Sequence, residues 1–177
     1  MPVIRLTGPT SRFTDEMRAN LTERLSQELT GGGEGNGPVI FEIPLEGSDR
    51  YDVIVVWDEW GQQSVPGEIR SEIIASAYER VDSPIAKKLA IAIGATNGEA
   101  VEQNLLPYSI VPMVRKGKAD AASIQEAMLR HGAIRVSGNT LELRLPTLKL
   151  AEQVHRQIVD ELPNGYWAIV QKANTAE

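Results

Sequence analysis

The chain has 177 residues, of which 42% are hydrophobic and 24% charged, and it carries a net charge of −6. This is the composition of a folded globular protein of one ordinary domain or two small ones, and it excludes collagenous and disordered classes. No apolar run approaches the roughly 18–20 residues that span a bilayer, and no apolar signal core follows Met1. The sequence has no cysteine, so disulfides, thiolate metal sites and cysteine nucleophiles are excluded. The expectation is a cytoplasmic protein without a membrane partner.

The charge is unevenly spread. Residues 46–82 hold nine acidic and three basic side chains, whereas residues 108–177 hold seven acidic and nine basic. An overall negative field disfavours non-specific attraction to a phosphate backbone.

In chain order, residues 3–6 read as a short strand. Thr14 is placed to cap a helix carrying Met17, Leu21, Leu25 and Leu29 on one stripe. The glycine-rich run from Gly31 to Pro38 must end that helix. It follows a helix rather than a strand and lacks a closing Lys-Ser/Thr pair, which argues against a phosphate-binding loop. Two strands follow. Val39, Phe41, Ile43 and Leu45 alternate on one face of the first, and Tyr51, Val53, Val55 and Trp57 on one face of the second. Pairing Leu45 with Tyr51 would make that face continuously apolar.

A helix from about Ser64 is expected to bury Ile69, Ile73, Ile74, Ala77 and Val81. A second helix opens at Ser83-Pro84 and carries Ile85, Leu89, Ala92 and Ile93, with Gly94 as its stop. A third, short helix begins near Thr96, whose spacing to Glu99 suits a capping box. Beyond it, residues 109–114 read as a strand, 120–130 as a helix, and 133–136 and 141–145 as a hairpin about Gly138-Asn139. A helix over 148–162 is broken by Pro163-Asn164-Gly165, and a last strand runs from Tyr166 to Gln171. In the hairpin the expected pairs are Val136 with Leu141, Ile134 with Leu143, and Arg135 with Glu142.

The fold class is therefore α+β, with a C-terminal βαββαβ unit in the ferredoxin-like order preceded by a βαββα unit and a helical connector. The expected boundaries are 1–82, 83–107 and 108–177. Such a fold carries almost no functional information by itself.

Four carboxylates, Glu42, Asp52, Asp58 and Glu59, come closest to a catalytic set. Glu42 and Asp52 would lie diagonally on one strand face, roughly 7–8 Å apart. Such a group could hold a divalent cation or supply an acid and a base. Trp57-Asp58-Glu59-Trp60 pairs aromatics with acids, a composition suited to an interface anchor, with Trp57 inward and Trp60 exposed in a loop. His131 and His155 lack the spacing of metal ligands, and no Gly-x-Ser-x-Gly elbow is present. Arg115, Lys116 and Lys118 form a small basic loop before a helix N-terminus that could hold a phosphate; one such loop is too little to track a backbone, and nucleic-acid binding through these residues and Arg144 is a third, less favoured reading. The aromatic pattern of an RNA-binding sheet is missing.

A βαββαβ unit covers one sheet face with helices and leaves the other for water or a partner. That face is expected to carry Arg135, Glu142 and Arg144, with Trp167 from the last strand. The expected function is a non-catalytic protein-interaction or self-assembly module within a larger complex. Its surface would be formed by Arg135, Glu142, Arg144 and Trp167, with Trp57, Asp58 and Trp60 as a second patch, and it would need no cofactor or metal. The alternative is a metal-assisted hydrolase or transferase using Glu42, Asp52, Asp58 and Glu59.

Overall fold

A computed structural model describes residues 3–5, 38–114, 121–137, 140–161 and 166–173. The helix expected over 14–29, the glycine loop, the basic loop at 115–118, and the turns at 138–139 and 163–165 lie outside the described residues. The chain is a mixed α+β protein. It divides into two compact units, Met1–Thr96 and Asn97–Glu177, each with a four-stranded sheet. Six helices occur among the described residues.

The first unit contains β1 (Val3–Arg5), β2 (Val39–Pro44), β3 (Tyr51–Val56), α1 (Glu59–Gln62), α2 (Gly67–Val81), α3 (Ser83–Ala86) and β4 (Leu89–Ala95). The sheet order is β1-β2-β3-β4. β2 and β3 form an antiparallel hairpin, and the outer pairs β1·β2 and β3·β4 are parallel.

The hairpin register differs from expectation by one residue. Tyr51 lies opposite Pro44, not Leu45, and Ile43 lies opposite Asp52. Because side chains alternate along a strand, this single step exchanges the two faces of β2 relative to β3. Ile40 joins Val53 and Val55 in the core cluster with Trp57, Trp60, Ile74, Ala77, Tyr78 and Ile85. Phe41, Ile54 and Val56 are buried on the opposite face, which makes both faces of the hairpin apolar.

Leu89 to Ala95 forms a strand where a helix was expected. The helix opened by Ser83-Pro84 is only four residues long. Its first turn is capped by Asp82, whose Oδ1 accepts from the Ile85 amide at 2.9 Å. The apolar run beyond it pairs parallel with β3. A short apolar run has no periodicity that separates strand from helix, and here the free strand edge captured it. A register shift between Tyr51 and Val53 leaves an extra residue in β4, and there Ile91 is 55% exposed.

α2 also turns a different face inward. Its buried residues are Arg70, Ile74, Ala77 and Tyr78, whereas Ile69 is exposed. The spacing is helical, but it starts from a cation.

The second unit contains α4 (Asn97–Glu102), β5 (Tyr108–Val114), α5 (Ala121–Arg130), β6 (Ile134–Ser137), β7 (Thr140–Leu145), α6 (Leu148–Glu161) and β8 (Tyr166–Lys172). The sheet order is β6-β7-β5-β8, with every neighbouring pair antiparallel. This order is compatible with a ferredoxin-like fold. β5 pairs with β8 along its whole length, but with β7 only from Tyr108 to Ile110. The phase of the β5·β8 ladder is set by the bond from the Ala173 amide to the Pro107 carbonyl. In that phase residue 112 turns its backbone toward β7, and Pro112 has no N–H to offer, so the β5·β7 ladder stops there.

Candidate functional site

The face expected to be open in the second unit is built by β7. Leu143 and Leu145 point to one side and are buried with Ile110, Val154 and Ile158. α6 packs against β5, β7 and β8 on that side. Glu142 and Arg144 therefore belong to the other face, as their alternation requires.

Arg144 is not open to solvent there; it is 8% exposed. Its Nε donates to Glu142 Oε2 at 2.9 Å, and its Nη1 donates to the Leu106 carbonyl at 3.2 Å. Leu106 and Ala100 are fully buried, and α4 packs against β6. The chain's own segment 97–107 thus lies over the β6/β7 part of this face, with Arg144 fastening it. This corrects the expectation that Arg144 looks outward to a partner. A buried charge is tolerated only when paired and hydrogen-bonded, and Arg144 is both.

The hairpin register also corrects the placement of Arg135. Ser137 lies opposite Thr140, as a two-residue connection requires, but an irregularity follows, and Arg135 then lies opposite Leu141 and Ile134 opposite Glu142. An extra residue at Val136 flips everything before it. Ile134 and Leu143 therefore stand on opposite faces, as do Arg135 and Arg144. Arg135 is exposed on the Leu141 side, and Ile134 is buried on the side of Glu142.

The rest of the face is formed by β5 and β8. Register places Ser109 beside Arg144 and opposite Gln171, Val111 opposite Ile169, and Met113 opposite Trp167. Val111 and Ile169 are half-buried, and Gln171 is exposed. The backbone of Trp167 sits in β8 at this register, while its side chain lies outside the described ones.

In the first unit, the tryptophan patch is core rather than surface. Trp60 is fully buried, against the expectation of exposure, and Trp57 is buried beside it. Their rings meet edge to face at 5.7 Å, and Trp60 Nε1 donates to the Val55 carbonyl at 3.2 Å. An indole buried this way needs a partner for its N–H, and the strand supplies it. Of the tetrapeptide, only Asp58 is exposed.

The four carboxylates are not gathered. Glu42 lies on the core face, where Tyr78 Oη donates to its Oε1 at 2.8 Å. Asp52 lies on the opposite face, and its buried Oδ1 has no hydrogen-bond partner among the described residues. Glu59 is buried at the start of α1 and accepts from Gln63 Nε2 at 3.4 Å. No group of three metal-ligating side chains occurs among the described residues. Burial, reinforced by the Glu42 and Asp82 carboxylates, holds the Tyr51 phenol well above its ordinary range, and its hydroxyl donates to the Ile85 carbonyl.

Both histidines tie structure together. His131 Nε2 meets Glu161 Oε1 at 3.0 Å, joining the end of α5 to the end of α6. His155 Nε2 meets the Ala168 carbonyl at 2.5 Å; since a carbonyl only accepts, that nitrogen carries the proton. Arg70, Ser71 and Ser109 hold places that sequence reasoning missed. The one available signal was the 70-74-77-78 spacing, which is obscured because arginine reads as a surface residue although its stem buries readily.

No protein-family model matches the chain, and neither the curated proteins nor the solved structures contain a match. No described helix is long and apolar enough to cross a membrane.

Proposed function

We propose that the protein is a non-catalytic, cytoplasmic interaction module that self-associates as part of a larger assembly. In this reading the second unit is a complete ferredoxin-like βαββαβ unit with both long helices on one face. Its contact surface is the β5/β8 part of the other face, centred on Val111 and Ile169 and bordered by Glu142 and Gln171. Trp167 occupies the neighbouring register position. Arg144 contributes as a positioning residue, because it fixes segment 97–107 over β6 and β7 and so defines where the surface begins.

The observation that carries the reading is the half-buried Val111–Ile169 pair beside the Arg144–Glu142 ion pair. An aliphatic patch rimmed by polar and charged groups is the usual make-up of an interface. The scattered placement of Glu42, Asp52, Asp58 and Glu59 gives the metal-assisted alternative no common site. Light scattering over a concentration series tests the proposal. The intact chain should exceed its monomer mass, and Ile169→Glu should return it to monomer with an unchanged far-ultraviolet circular dichroism spectrum. A monomer at every concentration would remove it.

A further inference from the structure

β4 reads Leu-Ala-Ile-Ala-Ile-Gly-Ala, without charge or proline, and among the described residues it lies at the edge of the first sheet. An uncharged apolar edge strand is a ready template for pairing with another chain, and natural proteins normally block it. The usual blocking residues, lysine and proline, are absent from this strand.

The direction of its carbonyls shows what replaces them. The Ala95 carbonyl accepts from the Trp57 amide at 2.8 Å and therefore points toward the β3 side. Backbone groups alternate along a strand, so the Gly94 and Ala92 carbonyls point away from β3, to the outer side of β4. Both are occupied by side chains of α2. Arg70 Nη1 donates to Gly94 at 3.2 Å, and Ser71 Oγ donates to Ala92 at 2.7 Å.

Arg70 is buried in the first turn of α2, where the helix dipole disfavours a cation. Its Nε also donates to the Val65 carbonyl at 2.7 Å, so the guanidinium is held in place. The second unit repeats the device. The phase of the β5·β8 ladder turns the Ala168 carbonyl to the outer edge of β8, and His155 from α6 occupies it.

We infer that Arg70 and Ser71 are edge guards, which occupy the outward carbonyls of β4 and so prevent it from pairing with β4 of a second copy. Two β4 edges related by a two-fold axis would meet antiparallel, with no like charges to oppose them. The inference is independent of the surface proposed for the second unit.

The test is light scattering of the full chain carrying Arg70→Met and Ser71→Ala, with and without Ile91→Lys, compared with the unsubstituted chain at matched concentrations. The expected result is a mass about two-fold or more above that of the unsubstituted chain, abolished when Ile91→Lys places a charge on the edge. A mass equal to that of the unsubstituted chain overturns the inference, and so does a rise that Ile91→Lys leaves in place. If the double substitution loses the native circular dichroism spectrum, Ser71→Ala alone is read by the same two criteria.

Discussion

Tyr78 donates its hydroxyl to Glu42 Oε1 across 2.8 Å inside the first unit, joining α2 to β2. The bond ties a buried carboxylate to the helix that covers the sheet. Tyr78→Phe keeps the ring and removes only the donor. It should lower stability by about 1.5–3 kcal/mol, the usual worth of a hydrogen bond to a charged group. Urea unfolding checks this, with the midpoint falling at an unchanged slope.

At Gly94 of β4, both Arg70 of α2 and Trp60 approach the backbone closely. A Cβ there would stand 2.7 Å from Arg70 Cβ and 3.1 Å from Trp60 Cε2. Arg70 Cβ is anchored to the helix backbone and cannot swing aside, so the helix itself must shift. Gly94→Ala should cost about 1–3 kcal/mol by overpacking. It should also change the tryptophan fluorescence, because the Trp57–Trp60 pair lies beneath the displaced helix. An unaltered spectrum and midpoint would count against the tight packing described.

Arg144→Met retains most of the stem and loses both hydrogen bonds. Segment 97–107 should then detach more readily, and amide exchange at Ala100 and Leu106 should quicken well before that of Leu143 and Leu145. Exchange that changes equally at all four positions would mean that Arg144 stabilises the unit as a whole rather than fastening this segment.

Acid should loosen the junction between α5 and α6. The slight burial of Glu161 raises its carboxyl pKa, but hydrogen bonds and charge from His131 and Arg130 outweigh this and hold it below the ordinary 4.5. A carboxylate with a lowered folded pKa adds stability that is fully present above its unfolded value and is lost as pH falls through the folded one. The effect is small, because the Glu161 side chain is 39% exposed. Glu161→Gln should remove this part of the acid dependence and leave stability at neutral pH only slightly lower. Thermal melts from pH 7 down to pH 3 provide the comparison.

Much of the second unit was legible in the sequence, because turn residues and a change of period punctuate it. Its strands β5 to β8 lie where alternation placed them, and their order follows from the βαββαβ string. What was not legible was register. A hairpin connection one residue longer than assumed moved Glu42 to the core face, and an extra residue at Val136 moved Arg135 away from Arg144. Both are one-residue events that leave every strand boundary intact and still exchange the faces on which a candidate site depends. β4 was missed for a different reason. Its run of alternating alanine and isoleucine is equally apolar in either period, and only the vacant edge of β3 decides between them.

The absence of cysteine offers a direct measurement of the proposed surface. Gln171 is exposed and lies on the same face as Ser109 and Arg144, so Gln171→Cys introduces a unique thiol for a nitroxide label. Labelled chain is mixed with unlabelled, isotope-enriched chain, and the amide signals of the latter are recorded. The account predicts intermolecular broadening at Val111 and Ile169, the two positions at the centre of the proposed surface. No broadening at Val111 and Ile169, at concentrations where the chain is associated, would contradict it.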